Sequence, residues 1–344
     1  MHKHSSIILL VLIIIAMSAC NPGKRKERIP EFSPFEEDVA FLKKYSAVVE
    51  LTDTKGKSKV AVMAGLQGRV MTSTAGPPDN LSYGWINRPL FESGDTSVHM
   101  NAFGGEERFW LGPEGGQFSI FFAKDSAFTF TNWHTPTLID LDPWKVASQS
   151  AHAATFVKNA HLVNYSGTPF DISITRQIKV IDPTDAFALL DLAADTTLAA
   201  VAYQTTNEVE NTGSVAWDKA TGVLSIWLLG MYNPSEDLTM VIPFQEGTEQ
   251  ALGKIVNDDY FGKVPSERIK VGNGTIFFKG DGKYRSKIGL NPARAKDVMG
   301  SYDPGTRTLT ILKFTKGEPG DEYVNSKWEL QKYPYGGDVA NAYN

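Results

Sequence analysis

The stretch 153–181, AATFVKNAHLVNYSGTPFDISITRQIKVI, decides the fold class. Ala153–Val163 and Phe170–Ile181 are rich in Val, Ile, Thr and Phe, residues that fit a pleated, half-buried surface. NYSGTP between them is turn chemistry, so the stretch reads as two strands joined by a turn. Working outward, the same pattern recurs at Ala47–Thr52, Lys59–Ala64, Arg69–Thr74, Gln117–Phe122, Leu198–Glu208, Val223–Met231, Thr275–Phe278, Arg307–Phe314 and Glu322–Tyr333. The connections IDPTD, ENTGS, YNPSED and YDPGTR hold Gly, Pro, Asn and Asp. Strands and helices do not alternate, which disfavours a doubly wound sheet and favours a large antiparallel β architecture of stacked sheets. A helical turn is expected at Asp191–Thr197. One clear helix is predicted, Ser33–Tyr45. Ser33 is its candidate cap, Pro34 its first residue, and Phe35, Val39 and Leu42 form its apolar stripe.

The whole chain has 344 residues, 34 Lys plus Arg against 39 Asp plus Glu, and a formal charge of −5. A mildly acidic chain with no basic block argues against a nucleic-acid partner, because that binding rests on clustered cations. The single cysteine, Cys20, excludes an intrachain disulfide, cysteine-cluster zinc sites and iron–sulfur clusters. HExxH, GxSxG and GxGxxG are absent, and GPEGG lacks the Lys-Ser/Thr of a phosphate loop.

Cys20 sits in a telling place. Lys3 precedes the apolar run Ile7–Met17, which is too short for the roughly 20 residues of a membrane-spanning helix. Ser18 and Ala19 are the small residues of a cleavage site, and MSAC resembles the bacterial lipoprotein box, whose cysteine carries the lipid. The expectation is a signal peptide over residues 1–19, a polar tether over 20–32 and one β domain over 33–344. Cys20 would then anchor the protein to a bacterial membrane, the outer membrane of the cell envelope. The alternative is an ordinary signal peptide with Cys20 incidental.

Polar groups, aromatics and glycines concentrate most strongly at 99–117, HMNAFGGEERFWLGPEGGQ. If Arg108–Leu111 is extended, Arg108 and Trp110 share one face. A tryptophan beside an arginine and carboxylates suits a sugar: the ring stacks on C–H faces, and the charged groups bind hydroxyls. His99, Asn101, Glu106, Glu107, Arg108, Trp110 and Glu114 are therefore candidates. The competing reading makes Trp110 core, pairs Glu106 or Glu107 with Arg108, and keeps the glycines as turn formers. A second segment, NWHTPTLIDLDPW at 132–144, reads as a loop carrying Trp133 and His134. The reference pKa of a histidine lies near neutrality, so His134 could act as acid or base. Asp140 and Asp142 are too few for a calcium site, so neither metal nor cofactor is expected. His152 and His161 read as hydrogen-bonded structural histidines.

VELTDTKGKSKVAVMAGLQGRVMTSTA, YGWINRPLF, NAFGGEERFWLGPEGGQFSIFF, NWHTPTLIDLDPW and YRSKIGLNPARAKDVMGSYDPGTRTLTILKF together resemble galactose mutarotase-like (aldose 1-epimerase-like) proteins, closest to Bacteroidetes-type lipoproteins of that fold. The resemblance runs from about Phe35 to the C-terminus. It implies a mainly β supersandwich with one short N-terminal helix and a sugar-binding cleft on one sheet. It also implies ring opening by a histidine and a late glutamate, with a second histidine and an arginine holding the sugar. It points to His99, Arg108 and His134 for those roles, with Asn101, Glu106, Glu107, Trp110, Glu114 and Trp133 around the sugar. No residue takes the part of the late glutamate, since the chain ends at GGDVANAYN where such proteins continue through further strands. The expectation is a membrane-anchored carbohydrate-binding protein, as an epimerase-like isomerase or an accessory factor in glycan use. The alternatives are a structural or interaction lipoprotein, or a glycoside hydrolase or lyase on a related sandwich.

Overall fold

The computed structural model describes residues 32–318 and 320–344, and the chain in it is mainly β and antiparallel. Cys20, the signal peptide and all of the tether but Phe32 lie outside the described residues. The first element is helix α1 (Phe35–Leu42), shorter than predicted. Pro34, with extended backbone, takes the capping position expected of Ser33, and no side chain caps the helix. The predicted stripe holds: Phe35, Val39 and Leu42 are buried, and α1 packs on Ala61, Met63 and Met71 of the first sheet.

That sheet is β1 (Val48–Thr52), β2 (Lys59–Met63) and β3 (Arg69–Thr74), in that order. Next come α2 (Arg88–Ser93) and β4 (Arg108–Gly112). A four-stranded meander follows: β5 (Lys145–Gln149), β6 (Ala153–Val163), β7 (Pro169–Ile181) and, after α3 (Pro183–Leu189), β8 (Ala202–Asn211). β6 and β7 pair from Ala153↔Lys179 to Val163↔Pro169, closed by Asn164, whose backbone and side chain both bond Thr168, and by Gly167 at φ 88°. Along β7, Phe170, Ile172, Ile174, Arg176, Ile178 and Val180 are all buried, a period-two face that packs with Val49, Leu51, Val60, Val62 and Val70 of the first sheet.

β9 (Ser225–Leu229) pairs with β4, so that Trp110 lies opposite Trp227. The remaining elements are β10 (Thr239–Pro243), α4 (Glu249–Leu252), β11 (Ile269–Gly272), β12 (Thr275–Lys279), β13 (Lys287–Leu290), β14 (Val298–Asp303), β15 (Thr308–Lys313) and β16 (Ala340–Tyr343). Five of them form a sheet in the order β11-β12-β10-β14-β15, and β13 pairs with β16. A second core lies between them: Ile242, Phe244, Ile276, Phe278, Ile288, Leu290, Ala340 and Ala342.

Two predicted strands are absent. In Gln117–Phe122 the Ser119 hydroxyl bonds the Glu114 carbonyl and accepts from the Phe121 N–H, closing a turn that competes with a ladder. Glu322–Tyr333 is irregular, and Gln331 bonds Gln117 rather than a partner strand. The helix near Asp191–Thr197 lies earlier, at Pro183–Leu189, where proline supplies a first helical residue.

The bulkiest fully buried side chains are arginines: Arg69, Arg108, Arg176 and Arg294. Arg69 donates to the Gly104 carbonyl (3.1 Å) and Gln67 Oε1 (2.9 Å). Arg108 donates to the Ile139 carbonyl and Asp140 Oδ1, both at 2.9 Å, with its guanidinium 4.4 Å over the Trp110 ring. Arg176 donates to the Gly68 carbonyl (3.0 Å) and Asn207 Oδ1 (2.5 Å). Burial, then the neighbouring Arg108, holds the Arg69 guanidinium well below its usual range, while Asp140 opposes the shift. Arg294 separately ties down the Gln245, Gly247 and Gly253 carbonyls. Replacing Arg108 by Met would leave Asp140 buried without its cation, a loss of about 3–5 kcal/mol. Urea unfolding should show that loss for Arg108→Met and partial recovery for Arg108→Met with Asp140→Asn.

Candidate functional site

The segment 99–117 is split among three places. Gly104 and Gly105 have φ of 91° and 111°, and a Cβ on Gly104 would stand 2.0 Å from the Trp85 carbonyl oxygen. Only glycine fits there, and the turn sends Glu106 and Glu107 to a cleft. Arg108 and Trp110, on the next strand, go inward: both faces of β4 are covered, and Trp110 is 2% exposed. Glu114 lies behind the cleft, accepting at Oε1 from Tyr260 Oη and Trp328 Nε1, both 3.1 Å. Asn101 is buried and donates from its backbone and its side chain to Asp140 Oδ2 (2.9 and 2.8 Å).

The two candidate histidines come close to each other, with ring centroids 5.9 Å apart, but neither lines the cleft. His99 Nδ1 lies 2.6 Å from the Trp133 carbonyl oxygen, and its ring stacks on Phe130 at 4.1 Å. His134 is exposed. Trp133 is buried, stacked between Phe121 and Trp328, and Trp144 is buried with Nε1 donating to the Leu138 carbonyl. The expected constellation of two histidines around Arg108 is therefore not assembled, because Asp140 and the Trp110 ring occupy the guanidinium. Asp140 serves that ion pair, and Asp142 pairs with Lys158 at 2.9 Å. His152 bonds the Thr52 carbonyl oxygen and His161 pairs with Asp171, as structural histidines do. Among the described residues no cluster of three or more His, Cys, Asp or Glu could hold a metal.

The cleft has a volume of about 2050 Å³. Its walls come from β8, β9, β15, α3 and the segments around 197–201 and 323–341. At the floor Glu106 is 2% exposed, its carboxylate accepting from the Ser73 N–H (2.5 Å), the Ser73 hydroxyl (2.9 and 3.0 Å) and Tyr203 Oη (3.2 Å). Burial outweighs these donors and pushes the carboxyl from 4.5 up to about 7. Glu107 is different. Its Oε1 lies 2.8 Å from Arg176 Nη1, an ion pair by distance without the alignment of a hydrogen bond. Tyr203 and Tyr232 flank Glu106, and burial raises both phenols, so they keep their protons and act as donors. Further along lie Trp227, Tyr260, Lys287, Asp338 and Asn341.

Sequence reasoning found Glu106 and Glu107. It missed Arg176, Tyr203, Trp227, Tyr232, Tyr260 and Lys287. The alternation SIWLL at 225–229 was a signal for Trp227 on a strand face. Lys287 had none, in a strand of four residues.

Residues 33–344 match a family of unknown function, DUF6786. The chain belongs to that family. No curated protein matches the chain. Solved structures similar to this DUF6786 member include a galactose mutarotase-like protein from Lactobacillus casei ATCC 334 (12% identity, 75% of this chain and 76% of that one, TM-score 0.44). The Slr1438 protein from Synechocystis sp. PCC 6803 is similar at 13% identity, over 76% of this chain and 74% of that one, with TM-score 0.40. A protein of Escherichia coli K12 named as a candidate aldose 1-epimerase is similar at 13% identity, with the same coverage and TM-score 0.42. At this identity they transfer no residue role to the chain.

The raised Glu106 carboxyl has a measurable consequence. Between pH 4.5 and about 7 the folded protein holds a proton the unfolded chain has released, so stability falls as pH rises. The shift is worth about 3 kcal/mol. Urea unfolding at pH 5 and pH 8 should show a smaller loss in Glu106→Gln than in the wild type, by about that amount; equal losses would refute the assignment.

Proposed function

We propose that the protein binds a carbohydrate in this cleft and that, where it turns over, Glu106 moves the proton in an aldose 1-epimerase-like ring opening. The observation that carries the reading is one buried carboxyl, poised at about 7, on the floor of a polar and aromatic cleft. Ring opening needs a proton taken from the anomeric hydroxyl and one given to the ring oxygen. A group with its pKa near the working pH serves such transfers best. Tyr203 supplies a neutral donor beside it, and Glu107, held in place by the buried Arg176, supplies a fixed acceptor for hydroxyls. Small-molecule pockets hold roughly 300–1,000 Å³, so a cleft of about 2050 Å³ suits an oligosaccharide better than one ring. Trp227, half-buried at the wall, takes the stacking role expected of Trp110. On this reading Cys20 carries a lipid and the protein works at the cell envelope, a proposal that rests on the MSAC motif alone. Among the described residues no helix is long and apolar enough to cross a membrane.

One observation favours the interaction-protein reading. Leu189, Leu192, Leu198, Leu309, Ile311 and Leu312 line the same cleft and are 39–64% exposed. Apolar surface gathered in one place marks partner binding. The burial of Trp110, Trp133 and Trp144 points the same way.

Calorimetry of the purified protein against mono- and oligosaccharides separates the two. Oligosaccharides should bind, and Glu106→Gln should keep binding while slowing any anomer exchange seen by NMR about 100-fold or more. No heat across a broad panel would favour the interaction protein. Separately, labelling with a fatty-acid analogue should be lost in Cys20→Ser, with the protein moving to the soluble fraction; retained label would overturn the anchor.

A further inference from the structure

Lys287 opens β13, opposite Tyr343 on β16, and is 9% exposed. Its ammonium stands 4.3 Å from the Tyr260 ring centroid, 5.4 Å from Tyr343 and 5.5 Å from Trp227, a three-sided aromatic cage. Such rings favour the charged form of an amine, while burial, the largest effect, lowers Lys287 from its usual range. Glu114 and Asp338 act on Lys287 through space, without a hydrogen bond to it. Both are held by neutral donors instead: Glu114 by Tyr260 and Trp328, Asp338 by Asn257 at 2.8 Å. Burial raises both carboxyls. The ammonium is not among the fully enclosed polar atoms, and it lines the cleft.

A desolvated cation without a partner is costly, and an incoming anion removes that cost. Trp227 of the cage lies three residues along the chain from Gly230, which abuts Glu106. Glu106, Trp227 and Lys287 all line the one cleft, so an occupant that fills it meets both charged groups.

We propose that Lys287 in its aromatic cage recognises an anionic substituent, so that the glycan taken by this cleft is acidic. This deepens the carbohydrate reading and rests on it. A uronate carboxylate and a sulfate ester share the required chemistry. The rival role is a purely structural one, a cation offsetting Glu114 and Asp338 from a distance.

The test is calorimetry of the full-length protein with three probes of equal length: an oligogalacturonate, a sulfated galactan oligosaccharide and a neutral galactan oligosaccharide. One acidic probe should bind at least tenfold more tightly than the neutral one, and which of the two does so identifies the substituent. Lys287→Met should abolish that preference, the acidic probe falling to the affinity that the same variant shows for the neutral one. Lys287→Gln should do the same if the Met variant folds poorly, and Lys287→Arg should keep part of the preference. Equal binding of neutral and acidic probes overturns the acidic ligand and leaves the carbohydrate reading standing. A preference that survives Lys287→Met overturns the role of Lys287. Binding of none of the three overturns both readings.

Discussion

Three guanidinium groups, those of Arg69, Arg108 and Arg176, are enclosed in the core that the first sheet shares with β4 and β7, each held through part of its donor set while Arg69 Nε, Arg108 Nε and Nη1 and Arg176 Nη2 keep no hydrogen-bond partner. Cations taken out of water must be met by carbonyls and carboxylates at hydrogen-bond range. The partners come from segments far apart in sequence: Gly68 and Gln67 before β3, Gly104 in the double-glycine turn, Ile139 and Asp140 in the long loop, and Asn207 on β8. The arginines therefore fix how loop 132–144 and strand β8 sit against the sandwich. Hydrophobic packing alone, which is non-directional, would leave those positions loose.

The same arrangement sorts two adjacent glutamates. Glu107 falls beside Arg176 and has a cation to answer. Glu106, one residue earlier, points the other way and meets only neutral donors. Neighbouring carboxyls in one chain segment thus meet different surroundings, and burial raises that of Glu106. The cleft is chemically divided as well. Its floor is titratable and its walls are aliphatic along α3 and β15 and aromatic at Trp227 and Tyr260, so an occupant with a polar face and an apolar face fits it best. A pyranose has that shape, and so does an amphipathic peptide, which is why the two functional readings meet at one surface.

What the sequence disclosed follows from how local each signal is. The hairpin at 153–181 and the stripe of α1 were legible because periodicity and turn residues act within a few positions. Strands β10, β13 and β16 are four or five residues long and pair with distant partners, so no local pattern announced them; β11 is only four residues long and was passed over although Asn273-Gly274 closes its hairpin with β12. The stretch 99–117 was found as chemically dense, but the direction in which each side chain turns was not. The position of Arg108 depends on Asp140, and that of Lys287 on Tyr260 and Tyr343, contacts no window of sequence contains. The His99, His134 and Arg108 grouping was drawn from a family resemblance, and the geometry brings the histidines together without the arginine.

The cleft has no single owner. Its lining runs from Ser73 and Glu106, through β8 and β9, to Asn341 almost at the last residue, so no contiguous piece of the chain contains it. An occupant would touch both cores at once and would act as a late tertiary contact between the two ends of the polypeptide. Occupancy would then stabilise the molecule as a whole, not one loop of it, and protection from proteolysis would extend well beyond the contacting residues. A protein built this way links ligand capture to its own completeness: a partly folded or nicked chain has no site to offer.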